Sequence, residues 1–136
     1  VHRRQRQMCI RDSIGPIGLD LASLFKDLYY DWPEEKIVDW YSKYNEKLKR
    51  ILNIELNLES LVKFIDFASI QRQVRILGKL SQVYEQLNRS ERLKDFHKLI
   101  NYLKNTSEKY SELENFSYSI AILKEPLKIK LEKIFS

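Results

Sequence analysis

Histidine, cysteine and serine are the side chains that would supply nucleophilic or acid–base chemistry. Their spacing in this sequence matches no known arrangement of a catalytic site. The chain has 136 residues with two histidines, His2 and His97, and one cysteine, Cys9. A catalytic serine needs an oriented imidazole beside it, and the sequence contains no Gly-x-Ser-x-Gly turn. His97 stands between Phe96 and Lys98 in a helical pattern. We therefore interpret His97 as a surface or partly buried helical side chain and predict no catalytic residue.

Motifs that bind phosphate groups or metal ions are also missing. With three glycines in all, the chain has no Walker loop and no glycine-rich phosphate cradle. One cysteine excludes a disulfide framework and a cysteine-rich zinc site, and two histidines leave little for a histidine-ligated metal. Aspartate and glutamate are plentiful, but they alternate with lysine as solvated helix faces do. No metal ligand is predicted.

Composition favours helices as the elements that position the side chains. Hydrophobic residues make up 43% of the chain, with only three glycines and three prolines, too few for an all-β protein. Apolar residues at helical spacing predict helices beginning near Asp20 and at Pro33, a break at 53–57, a long helix over about 58–88, another over about 91–104, and one or two last helices separated at Pro126. We predict an all-α fold, a bundle of five or six helices. No apolar run approaches the roughly 20 residues that a membrane-spanning helix needs.

Four local features refine this prediction. Pro33 suits the first position of its helix, and Ser90 suits the N-cap of the helix that follows it. Gly78 lies inside the long helix, where glycine costs up to about 1 kcal/mol relative to alanine, so we interpret it as a point of close helix–helix approach. Residues 105–117 are polar and are predicted as a loop with at most one helical turn.

The densest group of aromatic side chains is Tyr29, Tyr30 and Trp32. It either borders a ligand site or packs into the protein. Because most other aromatic residues recur at helical spacing, packing is the favoured interpretation.

The first thirteen residues, VHRRQRQMCIRDS, hold four arginines and one aspartate, a net charge of +3 within a chain of net charge +5. One interpretation is a basic arm that binds nucleic acid or a membrane surface. The other is that this segment is not native sequence. RQRQMCIRDS resembles translated adapter read-through at the ends of assembled sequences, and we favour this second interpretation. Residues 14–136 are then the native part, beginning in the middle of its protein. We predict no nucleic-acid partner and no membrane partner.

Residues 15–35, GPIGLDLASLFKDLYYDWPEE, resemble a stretch of the aminoglycoside phosphotransferase superfamily. The similarity is strongest to the branch of cell-wall-recycling sugar kinases that phosphorylate N-acetylmuramate and N-acetylglucosamine at the anomeric hydroxyl. In that branch a Gly-Pro loop leads into Tyr-Asp-Leu-Ala-Ser-Leu-Leu-Arg-Asp, a short aromatic stretch and Trp-Pro-Glu-Glu. Leu19 in place of the aromatic residue and Lys26 in place of arginine are the two departures.

A second block, FIDFASIQRQVRILG over residues 64–78, is similar to the family's aromatic-rich helix containing Leu-Gln-Arg-His-Leu-Lys-Val-Leu-Gly. Gln73 stands where those kinases usually have histidine, so a role of that histidine does not carry over. The run of Ile65, Asp66 and Phe67 has the letters of the family's metal motif, but it lies mid-helix and we do not predict Asp66 as a metal ligand. The resemblance covers about 15–115.

The resemblance implies a protein-kinase-like fold, of which residues 14–136 are the helical part of the C-terminal lobe. The intact parent would use ATP and Mg²⁺ to phosphorylate an amino-sugar hydroxyl in the cytoplasm, during peptidoglycan recycling. This chemistry needs a nucleotide-binding lysine, a His-x-Asp-x-x-x-x-Asn loop and a further metal-binding aspartate. Neither His2 nor His97 is followed two residues later by aspartate. We therefore expect a C-terminal fragment that is inactive alone and binds no cofactor.

Four site residues follow from the resemblance. Asp20 matches the superfamily's aspartate after the metal loop, where its carboxylate would accept hydrogen bonds from catalytic-loop amides, or it is a plain helix N-cap. Gln71 and Arg72 would line the acceptor-sugar pocket, since amide and guanidinium groups suit hydroxyls and a lactyl carboxylate. Arg72 has an equal alternative as a surface or salt-bridge residue. Asp27 is a further candidate for the sugar pocket.

A non-enzymatic function remains as the alternative. The long helix would then pair with a partner helix as a protein-interaction module. The side chains available for that pairing are Ile70, Val74, Leu77, Tyr84 and Leu87.

Overall fold

The computed structural model describes residues 18–26 and 30–136, and within them the protein is built from helices without strands. The five α-helices are α1 (Gly18–Phe25), α2 (Glu34–Leu52), α3 (Leu58–Leu87), α4 (Phe96–Ser107) and α5 (Glu114–Phe135), with 3₁₀ helices at Glu91–Asp95 and Ser111–Leu113. The all-α prediction is confirmed. No helix of this described part is long and apolar enough to cross a membrane. The first thirteen residues, which we interpret as not native, lie outside the described residues. The site candidate Asp27 lies outside them as well.

The chain divides into two compact units, residues 1–69 and residues 70–136. Helix α3 contributes its first part to one unit and its remainder to the other. Each unit has its own group of buried apolar side chains.

The core of the first unit is formed by α1, α2 and the first part of α3. Its buried members are Leu21, Ala22, Ile37, Tyr41, Leu61, Ile65 and Ala68. On α2 and α3 these residues recur at spacings of three or four, which place them on one face of each helix. On α1 the buried residues Leu21 and Ala22 are adjacent.

Close approach of two helices occurs at Gly18 rather than at Gly78. A Cβ atom added at Gly18 would lie 2.7 Å from the backbone oxygen of Phe64, so α1 begins directly against the backbone of α3. A Cβ at Gly78 would meet nothing within 4 Å, and Gly78 is exposed. The prediction of a close approach at Gly78 is therefore wrong, although Gly78 does lie inside a continuous helix.

Helix α2 begins and ends at the signals that the sequence carries. Pro33 occupies the N-cap, one position earlier than predicted, with ψ at 132°, and its carbonyl accepts hydrogen bonds from the amides of Lys36 and Ile37 at 3.0 and 3.2 Å. At the other end Asn53 adopts the left-handed conformation with φ at 54°, which asparagine tolerates. The predicted break at 53–57 is confirmed.

The connection from α2 to α3 is fixed by two asparagine side chains. Asn45 donates from Nδ2 to the carbonyl of Leu56 at 2.6 Å. Asn57 Oδ1 accepts a hydrogen bond from the amide of Ser60 at 2.6 Å, which satisfies one of the amides left open at a helix start.

The second unit packs α4 and α5 around Ile70, Ile100, Leu103 and Ile120. The helix predicted over 91–104 opens as the 3₁₀ segment Glu91–Asp95 and continues as α4 to Ser107. Ser90 stands at the start of that 3₁₀ segment, but its side chain makes no capping hydrogen bond.

The loop predicted over 105–117 is too long at both ends, because α4 runs to Ser107 and α5 already begins at Glu114, with a turn and the 3₁₀ helix Ser111–Leu113 between them. Of the one or two last helices that the sequence predicts, the structure has one. The predicted separation at Pro126 is wrong, since α5 continues through this proline. Proline withholds one amide from the carbonyl of Ile122, but Pro126 and Ile122 are both exposed, so water can replace the lost hydrogen bond.

Candidate functional site

Asp20 is an exposed side chain in the first turn of α1. Helix α1 begins at Gly18, so Asp20 lies within the helix instead of serving as its N-cap. Its charge acts on Tyr44 of α2: burial raises the pKa of the Tyr44 phenol, and the negative charge of Asp20 raises that pKa further. The carboxylate therefore lies near the Tyr44 side chain while remaining accessible to another group.

A buried ion pair joins the end of α1 to α3. The Nζ atom of Lys26 lies 3.8 Å from Oδ1 of Asp66, and only 1% of the surface of Asp66 is exposed. The Ser69 hydroxyl donates to the backbone carbonyl of Asp66 at 2.8 Å. Asp66 is thus a buried aspartate of mid-α3 that faces a lysine ammonium group.

Sequence reasoning alone does not predict this pair. Lys26 stands in place of the family's arginine, and both side chains carry a positive charge that an acidic partner would compensate. Which aspartate that partner is depends on how α1 packs on α3.

The aromatic side chains near the start of α2 stack on one another. Trp32 contacts Tyr30 at 4.3 Å between ring centroids and Trp40 at 5.0 Å, and Phe25 contacts Trp40 at 5.1 Å and Tyr41 at 5.6 Å. Trp32 and Trp40 are half-buried in this row of rings, whereas Tyr30 at its end is 57% exposed. Packing of Trp32 is confirmed, and Tyr29 lies outside the described residues.

The two sugar-pocket candidates on α3 lie in different environments. Gln71 is exposed and Arg72 is half-buried, whereas Gln73 is only 2% exposed. Successive helical residues point about 100° apart, so one pocket wall does not hold all three. Asp20 belongs to the first unit, and Gln71 and Arg72 belong to the second.

The structure also gives the positions of the other residues that the sequence suggested for function. His97 is an exposed residue of α4, as interpreted. Of the residues suggested for pairing with a partner helix, Ile70 is buried in the second unit's core and Leu77 packs against it. Val74 and Leu87 are exposed, at 42% and 60%. Part of the suggested docking face is therefore already used inside the protein.

An open groove of about 600 Å³ lies in the second unit. It runs beside the end of α4 and the first half of α5. Its lining residues are Ser107, Glu108, Tyr110, Ser111, Glu114, Ser117, Tyr118 and Ala121. They come from both helices and from the connection between them.

Across residues 18–26 and 30–136, no three histidine, cysteine, aspartate or glutamate side chains come together as metal ligands would. A magnesium ion that bridges nucleotide phosphates needs carboxylate or amide oxygens that converge on one point. The described carboxylates do not form such a group.

The structure defines an all-α protein with a buried Lys26–Asp66 pair, an exposed Asp20 and an open groove beside α4 and α5. Comparison with curated proteins finds three relatives that share one name, N-acetylmuramate/N-acetylglucosamine kinase. The relative from Neisseria meningitidis is 27% identical over 100 residues, which are 73% of this chain and 30% of that protein.

The relatives from Pseudomonas putida and Pseudomonas aeruginosa are each 22% identical over 110 residues, 80% of this chain and 32% of each relative. The chain therefore spans about a third of the length of the curated relatives it matches. No family model matches the chain, and no solved structure matches it.

Proposed function

We propose that residues 14–136 are the helical part of the C-terminal lobe of a sugar kinase in the aminoglycoside phosphotransferase superfamily. The observation that carries the proposal is the similarity to three proteins named as N-acetylmuramate/N-acetylglucosamine kinases, over 73% to 80% of this chain. The all-α architecture supports it, since that lobe is helical in protein-kinase-like folds. The parent would act on an amino sugar in the cytoplasm.

Different parts of the parent would carry different steps of phosphoryl transfer, and this chain would carry some of them. The reaction depends on positioning the acceptor and neutralising charge. ATP and Mg²⁺ would supply the phosphoryl group and its charge compensation, held by parts of the parent outside this chain. The chain alone is then inactive. Its own residues would position the catalytic loop and line the acceptor pocket.

Asp20 is the residue proposed to position the catalytic loop. Its carboxylate is exposed in the first turn of α1, where it can accept hydrogen bonds from backbone amides of a neighbouring segment. A carboxylate there also favours α1 itself, because it lies at the positive end of the helix dipole. The two effects act on the same side chain and are separable only by measuring activity and stability together.

Gln71 and Arg72 are proposed to contact the acceptor sugar. An exposed amide can donate to and accept from sugar hydroxyls, and a guanidinium group suits the lactyl carboxylate of N-acetylmuramate. Gln73, at the position of the family's histidine, is buried and would act through packing. Asp27 remains a proposed member of this pocket.

Recovery of the upstream reading frame is the first test. The proposal requires a His-x-Asp-x-x-x-x-Asn loop within about 40 residues upstream of Ile14. Its absence would contradict the proposal, and a stable chain with a specific protein partner and no such loop would favour an interaction module.

Substitution of Asp20 in the recovered enzyme tests its positioning role. Asp20→Asn should lower kcat by about tenfold or more with little change in KM for the sugar. Asp39→Asn is the matched control, because Asp39 is an exposed aspartate of α2 whose partner is the exposed Lys43. Equal kcat values for the two variants would show that Asp20 only supports its own helix.

A further inference from the structure

Helix α5 carries apolar side chains on two opposite sides. One side is buried in the second unit and includes Ile120 and Leu131. Tyr118, Ile122 and Ile129 are each more than half exposed, and at about 100° per residue they lie together on the opposite side of the helix. A helix on the surface of a soluble protein typically presents one apolar face, which is directed at the core. The second apolar face, here called the outer stripe, therefore indicates a surface that another molecule covers.

The open groove of the second unit adjoins the outer stripe near the start of α5, and Tyr118 belongs to both. The surface that lines the groove is mostly apolar, and its charged residues are Glu108 and Glu114. None of the described residues that line it is a lysine, arginine or histidine. A volume of about 600 Å³ has room for several side chains. The groove therefore suits a partner that presents apolar and positively charged side chains together.

The C-terminal end of α5 carries side chains of this kind. Lys130 and Lys133 are exposed there, and so are Ile129 and Phe135. Within one chain this end cannot reach the groove, because Lys130 follows Tyr118 on the same continuous helix at a distance of about 18 Å. The C-terminal end of α5 in a second copy of the chain has no such restriction.

Two copies of α5 that lie side by side and antiparallel would fill both grooves at once. A two-fold axis near residue 125 brings residues 129–133 of each copy opposite residues 117–121 of the other. The interface then uses the same surface of both copies, as closed dimers do. Near the axis, Glu125 of each copy would lie beside Lys128 of the other. A parallel pair would instead bring the like-charged ends together, which is unfavourable.

We propose that the chain forms an antiparallel dimer through α5, with Lys130 and Lys133 of each copy at Glu108 and Glu114 of the other. The helix has 22 residues, a length of about 33 Å, and a pair of such helices in contact along this length buries about 700 Å² in total. Stable interfaces bury roughly 1,200 Å² or more, so this dimer is weak and forms reversibly. The inference does not rest on the proposed kinase function, because it uses none of the residues assigned to that reaction.

Sedimentation equilibrium of the full chain, from about 5 µM to about 1 mM, tests the dimer. The average mass should rise towards twice that of the monomer, with a Kd on the order of 100 µM. Amide NMR signals that shift with concentration should belong to residues 108–135. A chain that stays monomeric over this range would overturn the proposal, and the outer stripe would then be left for a different protein or another part of the parent.

Charge reversal identifies the pairing. One variant combines Lys130→Glu with Lys133→Glu, which makes the C-terminal end of α5 acidic, and the other combines Glu108→Lys with Glu114→Lys, which makes the groove basic. Each variant alone should dimerise about tenfold more weakly or worse, because like charges then meet. An equimolar mixture should associate about as tightly as the native chain, since every groove then meets an end of opposite charge. Misfolding would not produce this recovery, and a mixture that stays monomeric would overturn the proposal.

Matched controls separate the contact from general effects of charge and size. Lys94→Glu with Lys98→Glu changes the net charge as the first variant does, at exposed lysines that do not line the groove, and should leave the Kd within about twofold. Ile129→Ala should weaken the dimer about fivefold, whereas Val74→Ala, at an exposed position of α3, should not. Equal losses from either substitution and its control would overturn the proposal. Unfolding midpoints of all variants establish that they fold.

Discussion

Asp66 is a charged group removed almost completely from water, with 1% of its surface exposed. Removing a carboxylate from water costs several kcal/mol unless an opposite charge compensates it. The ammonium group of Lys26 lies 3.8 Å away and is itself only 20% exposed. The pair therefore links α1 to α3 by a partly desolvated interaction that solvent screens less than a surface ion pair.

Removal of the lysine charge should destabilise the protein. Lys26→Met leaves Asp66 buried without that cation, and the free energy of unfolding should fall by about 3 kcal/mol. Lys26→Arg, which keeps the positive charge and introduces the arginine of the resembling kinases, should lose much less. Urea unfolding followed by circular dichroism measures both.

The matched control for Lys26 is Lys43→Met. Lys43 and Asp39 form an ion pair at 2.7 Å with both side chains more than half exposed. Such pairs contribute less than about 1 kcal/mol. If Lys26→Met and Lys43→Met prove equally stable, the buried pair does not hold α1 on α3.

Tyr44 gives a prediction for alkaline pH. Burial, and then the charge of Asp20, raise its pKa above the ordinary value of 10.0. A group whose pKa is raised by folding contributes its full stability below the unfolded pKa, and that stability is lost as pH rises through the folded pKa. The protein should therefore lose stability above pH 10.0, and Tyr44→Phe should lose less over the same range. Unfolding curves at several alkaline pH values measure this, and identical slopes for both proteins would contradict it.

At the scale of the helices, two glycines should respond in opposite directions to the same substitution. Gly18→Ala places a Cβ against the backbone of Phe64, which cannot move as a flexible side chain would, and stability should fall by about 1–3 kcal/mol. Gly78→Ala meets no atom and should raise stability by about 0.5–1 kcal/mol. Thermal unfolding of the two variants checks the signs, and a Gly18→Ala protein as stable as the native chain would contradict the close approach.

Local signals predicted the helices well where a proline, an asparagine or an apolar period marks them. The start of α2 after Pro33, the break at 53–57 and the length of α3 follow from such signals. They failed at residues 105–117 because helix packing overrides local polarity there. Thr106 and Ser107 are both buried within α4, and the Ser107 hydroxyl is satisfied by the carbonyl of Lys104.

The candidate site likewise contains some residues that the sequence indicates and others that it does not. Asp20 is a candidate from the sequence because a resemblance marks its position, and its exposure in α1 is visible only in the structure. The Lys26–Asp66 pair and the groove beside Tyr118 join residues that are distant in the chain or separated by a turn. Such contacts depend on tertiary packing, so residue patterns alone do not predict them.

At the scale of the whole molecule, the chain spans about a third of the length of the relatives it matches. In the proposed parent, residues 14–136 would position the catalytic loop and contact the acceptor, while other parts hold the nucleotide. In that case the catalytic loop would lie in another part of the parent. This would explain why neither histidine of this chain is followed by the catalytic aspartate. The central proposal is that the parent of this chain phosphorylates an amino sugar.

Phosphorylation of an amino sugar by the recovered parent tests that claim most directly. The enzyme is incubated with ATP, Mg²⁺ and N-acetylmuramate or N-acetylglucosamine, and the product is analysed by phosphorus NMR. We expect a sugar phosphorylated at the anomeric hydroxyl, and no product when the aspartate of the recovered catalytic loop is replaced by asparagine. Absence of any phosphorylated sugar from the intact parent would contradict it.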